Sequence, residues 1–87
     1  MRFTKLNSDG KYITDENKIE EAIQKLAVFE NMLDKFTEDM NKLPERLEKL
    51  KAAKKEKTVA YKELVTQKLI NTNILMFFKR NGINLNN

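Results

Sequence analysis

Apolar residues at heptad spacing between Ile19 and Leu43 constrain the fold of this 87-residue chain more than any other feature. Every first and fourth position of four successive heptads is apolar, and neither Gly nor Pro interrupts the run. Such a seam is typical of a coiled coil, because the spacing keeps apolar side chains on one stripe that faces a neighbouring helix. We therefore expect a long helix with this seam in the core. The first positions are Ile19, Leu26, Leu33 and Met40, and the fourth positions are Ala22, Phe29, Phe36 and Leu43.

Pro44 indicates where this helix ends. Proline has no N–H, disfavours the helical conformation in the residue before it, and is favoured at the first position of a helix. The sequence therefore predicts helix 1 over residues 15–43 and helix 2 over 44–71. Helix 2 either continues through or breaks into 72–81, Gly82 caps its end, and a tail follows over 82–87. A fold back about Pro44 would place Phe29 and Phe36 opposite Ala53–Ala60, large side chains against small ones.

Residues 1–14 have the pattern of a β-hairpin. Strand-forming residues flank Asn7-Ser8-Asp9-Gly10, and Asp-Gly supplies the positive φ that a hairpin turn requires. We expect strands near residues 2–6 and 11–14, with Thr14 or Asp15 capping the first helix. The fold class is thus mainly α, one domain over residues 1–87. Its architecture is a long antiparallel, coiled-coil-like helical hairpin with a short N-terminal β-hairpin.

The composition argues against most enzyme classes. The chain has no His, no Cys and only two isolated Gly residues, which removes the usual zinc ligands, thiol nucleophiles, Ser-His pairs and phosphate-binding loops. No carboxylate lies on the seam, where a metal-binding bundle would need one. We expect no enzymatic activity, no cofactor and no metal. No run approaches the ~20 apolar residues that span a membrane and no signal peptide is visible, so we expect a cytoplasmic protein without membrane contact.

The net charge of +4 is divided unevenly along the chain. Residues 15–42 carry eight acids and four bases, whereas residues 43–63 carry seven bases and four acids. An acidic helix beside a basic one favours antiparallel pairing. The same lysines offer either a solvated face or a surface that attracts phosphates or an acidic protein. The candidate basic residues are Lys51, Lys54, Lys55 and Lys57.

The densest apolar cluster is Ile74-Leu75-Met76-Phe77-Phe78. One face of a helix cannot bury five consecutive apolar residues, so some of them must meet another surface. That surface is either the N-terminal β-hairpin or a partner, which includes a second copy of the chain. The candidate partner-binding residues here are Ile74, Leu75, Phe77 and Phe78, with the two phenylalanines as aromatic anchors.

The first third of the chain resembles a group of small phage and mobile-element proteins of Gram-positive bacteria. Members of that group share an Arg-x-Thr-Lys…Asp-Gly-x-Tyr opening and a helix that ends in Lys-Leu-Ala-x-Tyr-Glu. This chain has Arg2-Phe3-Thr4-Lys5…Asp9-Gly10-Lys11-Tyr12 and Lys25-Leu26-Ala27-Val28-Phe29-Glu30, with Phe29 where the group has Tyr. The group has no established activity, so the resemblance implies a phage-associated origin and assigns no site residue.

Together these observations predict a non-enzymatic protein-binding module that self-associates as a homodimer. Small phage proteins often act by binding and blocking a host protein, anti-CRISPR inhibitors of defence nucleases among them, and that analogy extends to this chain without depending on its fold. Two alternatives stay open: a basic nucleic-acid-binding accessory protein and a structural coiled-coil component of a phage particle.

Overall fold

Two long helices follow a small β-hairpin in the computed structural model, which describes residues 2–85. The strands are β1 (Lys5–Leu6) and β2 (Tyr12–Ile13), and the helices are α1 (Ile19–Ala52) and α2 (Val59–Arg80). The predicted fold class is confirmed. The chain divides into two compact units, Met1–Met32 and Leu33–Asn87, with the boundary inside α1.

The β-hairpin forms around the predicted turn, with shorter strands than expected. Lys5 pairs with Ile13 and Leu6 with Tyr12 in an antiparallel ladder. The Asn7 side-chain oxygen accepts hydrogen bonds from the N–H groups of Asp9 and Lys11, both at 2.9 Å. Gly10 has φ +77°, which a glycine adopts without steric cost. The local turn chemistry therefore closes the hairpin.

Asp15 anchors the hairpin instead of capping a helix with its side chain. Its carboxylate accepts a hydrogen bond of 2.8 Å from Nζ of Lys5. This hydrogen bond, and then the charge of Lys5, lowers the pKa of Asp15 below its ordinary value. Asp15 does precede a 3-10 turn over Glu16–Lys18, but it makes no side-chain cap bond. The Thr14 hydroxyl is buried without a partner, so the predicted side-chain cap is wrong for both residues.

Pro44 lies inside α1, so the predicted helix boundary between 43 and 44 is wrong. Proline removes one helical hydrogen bond, leaving the carbonyl of Met40 without its usual donor. The heptad pattern nevertheless continues beyond it, since Leu47 and Leu50 occupy the next first and fourth positions. Both are half-buried. Continued burial of the seam outweighs the single lost bond and carries the helix to Ala52.

The chain reverses at residues 53–58, where a lysine takes the role usually given to glycine. Lys54 has φ +57° and sits just past the helix end. The N–H of Lys55 donates to the carbonyl of Leu50 at 2.8 Å, and the N–H of Lys54 donates to that of Lys51 at 2.9 Å. This pair of bonds is a Schellman motif, which satisfies the last carbonyls of a helix. Thr58 then caps α2 by accepting from the N–H of Tyr61.

α2 runs without a break through Asn71-Thr72-Asn73, which settles the alternative left open by the sequence. Its end also forms a Schellman motif. The N–H of Ile83 donates to the carbonyl of Phe78 at 2.8 Å and that of Gly82 to Lys79 at 3.2 Å. Gly82 has φ +94°, so the predicted glycine cap is confirmed.

The core of the Leu33–Asn87 unit lies between α1 and α2. The rings of Phe36 and Phe78 meet edge to face with centroids 6.1 Å apart. Leu43 and Asn71, 5% and 6% exposed, line one cleft together, and Leu50 and Leu64 line another. In each of these three pairs, 36 with 78, 43 with 71 and 50 with 64, one residue number rises by seven as the other falls by seven. The two helices therefore run antiparallel in one register. Phe36 therefore packs against Phe78, and the expected packing of Phe36 on Ala53–Ala60 is wrong.

Candidate protein-binding face

α2 carries apolar side chains on both of its sides. Its inner side packs on α1 through Leu64, Asn71 and Phe78. Its opposite side exposes a second apolar set, which we call the outer face of α2. A helix that is apolar all round is normally buried all round. The exposed apolar side chains of the outer face therefore favour contact with a partner. These residues are Val65, Leu69, Ile70, Met76 and Phe77.

The outer face is almost free of charge. Lys68 is the one charged residue between Glu63 and Lys79. The hydroxyls of Thr66 and Thr72 donate to the carbonyls of Lys62 and Lys68 in their own helix. Because these hydroxyls are already satisfied, burying them beneath a partner would carry little desolvation penalty. Leu69 and Phe77, 63% and 58% exposed, are the most exposed side chains of the set.

The structure divides the predicted apolar cluster between the two sides of α2. Ile74 lines the inner cleft with Phe36 and Leu43, and Leu75 and Phe78 are half-buried. Phe78 also contacts Phe77, with ring centroids 6.4 Å apart. Phe77 itself is exposed, so it alone of the four predicted apolar residues belongs to the outer face.

Sequence reasoning missed the rest of the outer face. The sequence shows Val65, Leu69 and Ile70 only as apolar positions of helix 2 at helical spacing. The number of apolar residues in helix 2 is the feature of the sequence that indicates a second apolar side. Apolar residues between Leu64 and Phe78 cover more of the helix circumference than one neighbouring helix can bury.

The predicted lysines gather at the reversal between the helices. Lys51 lies in the last turn of α1, where a positive charge is favourable beside the negative end of the helix dipole. Lys54, Lys55 and Lys57 lie in the turn itself, and all four are exposed. The turn thus forms a small basic tip, with Glu56 as its only acid.

The inner cleft between α1 and α2 has a volume of about 410 Å³ and a mixed lining. At its base, the buried Asn71 accepts a hydrogen bond of 2.8 Å from the Gln67 amide. At its rim, Lys42 pairs with Glu38 at 2.7 Å. Their hydrogen bond, and then their charges, lower the pKa of Glu38 and raise that of Lys42. The two charges therefore neutralise each other at the rim.

The seam of α1 is not covered along its whole length. Within the Met1–Met32 unit, Ile19 and Leu26 are exposed, and so is Ile23 on the same side of the helix. The expectation that the whole heptad seam is core is therefore wrong for these positions.

Across residues 2–85, no group of three or more acidic, His or Cys side chains is placed to hold a metal ion. Neither α1 nor α2 contains, within the described part of the chain, a stretch long and apolar enough to cross a bilayer. A comparison with models of known families, with curated proteins and with solved structures finds no match to this chain.

Proposed function

We propose that this chain is a non-enzymatic protein-binding module that docks a partner helix on the outer face of α2. One observation carries the proposal: α2 exposes a second apolar face although its first face already packs on α1. An amphipathic helix is the partner that fits, since its own apolar stripe would pack against the exposed apolar side of α2. In a phage setting, docking of this kind would block a host protein.

Leu69 and Phe77 are the expected anchors of this docking face. They are the most exposed side chains of the face, so a partner that covers them removes the most apolar area from water. The exposed Asn73 lies one turn from each of them. Met76 lies beside Phe77, and its flexible side chain suits a surface that adapts to its partner. The face carries a net positive charge at its ends through Lys62, Lys79 and Arg80, which favours a partner with acidic flanks.

The test compares affinity capture from a Gram-positive bacterial lysate, with and without nuclease, by the native chain and by Leu69→Asp/Phe77→Asp. We expect at least one protein to be retained by the native chain in both treatments and lost from the double variant. Glu45→Ala/Glu48→Ala is the control, because it changes two exposed positions on α1 and should retain the same protein.

Circular dichroism establishes that the double variant keeps its helical content. A retained set that is identical for native chain and double variant would contradict the proposal, and so would a set that disappears with nuclease. These two results separate a different protein surface from a nucleic-acid partner.

The basic tip supports a second candidate, the binding of nucleic acid. Lys51, Lys54, Lys55 and Lys57 are all exposed around one turn, and each neutralised phosphate would release counterions. Fluorescence anisotropy with labelled duplex and single-stranded DNA tests this candidate. Binding that weakens steeply with salt and disappears in Lys54→Glu/Lys55→Glu/Lys57→Glu would support it, and no binding at low salt would remove it.

A further inference from the structure

Each compact unit has an exposed apolar surface on one of its helices. The first is the α1 stripe, which we define as Ile19, Ile23 and Leu26, exposed along one side of α1. Residues three, four or seven apart lie on the same side of a helix, so these three form a continuous line. The second surface is the outer face of α2. At 1.5 Å per residue, the α1 stripe over residues 19–26 is about 12 Å long, so it fits within the outer face, which covers residues 65–77 and is about 20 Å long.

The charges around the two surfaces have opposite signs. Residues 15–32 contain five acids and two bases, a net charge of −3. Residues 59–80 contain four bases and one acid, a net charge of +3. Glu20 lies one turn from Ile23 and Glu30 one turn from Leu26, whereas Lys62 and Lys68 each lie one turn from Val65. The acidic flank of one surface is thus complementary to the basic flank of the other.

We infer that the α1 stripe of one copy docks on the outer face of α2 of a second copy, in a reciprocal homodimer. This inference rests on the proposed function, because it assigns the partner helix of the docking face. A twofold axis makes the same contact twice, so that both surfaces are covered in both copies. The pairing of each surface with itself is less favourable, because it brings together two acidic flanks or two basic flanks.

Charge reversal with mixing tests this pairing. The first variant is Glu20→Lys/Glu30→Lys, which makes the surroundings of the stripe basic. The second is Lys62→Glu/Lys68→Glu, which makes the outer face acidic. In a dimer of either variant alone, like charges face each other in both contacts. In a dimer formed from one copy of each variant, opposite charges face each other in both contacts.

Sedimentation equilibrium of the full chain gives the readout. We expect the native chain to dimerise, each variant to raise the dimer dissociation constant at least tenfold, and an equimolar mixture to recover the native value. Recovery on mixing also shows that neither variant has lost its fold. Glu45→Lys/Glu48→Lys is the matched control, since it reverses two acids elsewhere on α1, and it should dimerise like the native chain.

Three results would overturn the inference: a native chain that is monomeric throughout, a dimer insensitive to both variants, or variants that fail to recover on mixing. Failure of the proposed function is distinguishable from each of these. A monomeric chain that still loses a captured protein with Leu69→Asp/Phe77→Asp keeps the docking face and loses only the second copy as its occupant. Conversely, if the dimer recovers on mixing while capture of a host protein does not depend on the outer face, the dimer inference stands and the proposed function fails.

Discussion

Lys54 lies where the helical hairpin reverses. It is the only non-glycine with positive φ among residues 2–85, and an L-residue in this conformation costs about 1 kcal/mol relative to glycine. The cost is tolerated because the Schellman bonds satisfy two carbonyls at the end of α1. The position of the reversal therefore depends on backbone hydrogen bonds and on the seam, with no help from residue preference.

Replacement of this residue tests that account. Lys54→Gly should raise the free energy of unfolding by about 1 kcal/mol, because glycine adopts positive φ without strain. Gly82→Ala is the reciprocal change at the equivalent position of α2, where φ is +94°, and should lower stability by a similar amount. Urea unfolding followed by circular dichroism measures both. A Lys54→Gly variant less stable than the native chain would contradict the account.

The Lys5–Asp15 pair makes the N-terminal hairpin sensitive to acid. Since the pKa of Asp15 is lower in the folded chain than its ordinary value of 3.8, the pair contributes its stabilisation at neutral pH. That contribution is lost as the pH falls through the lowered pKa of the folded state. We expect the amide signals of Leu6 and Tyr12 in NMR spectra to shift together with the Asp15 carboxylate below about pH 4. Asp15→Asn should abolish this coupled shift at all pH values.

At the scale of the helices, Phe77 and Phe78 separate docking from folding. Phe78 packs edge to face on Phe36, so Phe78→Ala should destabilise the hairpin by about 2 kcal/mol, less than a fully buried phenylalanine because Phe78 is half-buried. Phe77 is mostly exposed, and Phe77→Ala should change stability by less than about 0.5 kcal/mol while it weakens partner binding.

Thermal unfolding and quantitative capture of the partner, measured on both variants, check this separation. Equal loss of stability in the two variants would place Phe77 in the core with Phe78. Unchanged binding by Phe77→Ala would remove it from the docking face.

The helices also show what could be inferred from the sequence and what could not. The hairpin turn, the helix content and the glycine cap depend on local chemistry. Gly10 indicates the turn and Gly82 indicates the cap. Pro44 predicts a reversal because proline is usually a helix boundary. The helix continues because burying Leu47 and Leu50 contributes more free energy than the one hydrogen bond missing at Pro44. The heptad pattern, which is intact beyond Pro44, indicates this burial. Lys54 carries no local signal at all.

At the scale of the whole molecule, the sequence predicts an exposed apolar surface near the C-terminus but only in part which residues form it. The apolar excess there indicates more apolar surface than one neighbouring helix can cover, and Phe77 is indeed exposed. Assigning Ile74 to the inside and Phe77 to the outside required the register of α1 on α2, which follows from long-range pairs such as Phe36 with Phe78. No pattern within α2 alone contains that information.

The buried Asn71 lowers the stability of the interface between α1 and α2. An amide in the middle of an otherwise apolar interface is less favourable than leucine. Its oxygen accepts a hydrogen bond of 2.8 Å from Gln67, which belongs to the same helix, so this bond does not depend on how α2 is aligned against α1. The alignment follows instead from contacts between the helices, such as that of Phe36 with Phe78.

The exposed outer face of α2 also bears on how long the chain survives in a cell. Cellular proteases act on the unfolded fraction of a protein, so a stability change of about 1–2 kcal/mol alters its steady-state abundance several-fold. A partner that binds only the folded chain stabilises it by mass action. If the outer face binds a partner as proposed, the chain would be degraded more slowly where that partner, a second copy or another protein, is abundant.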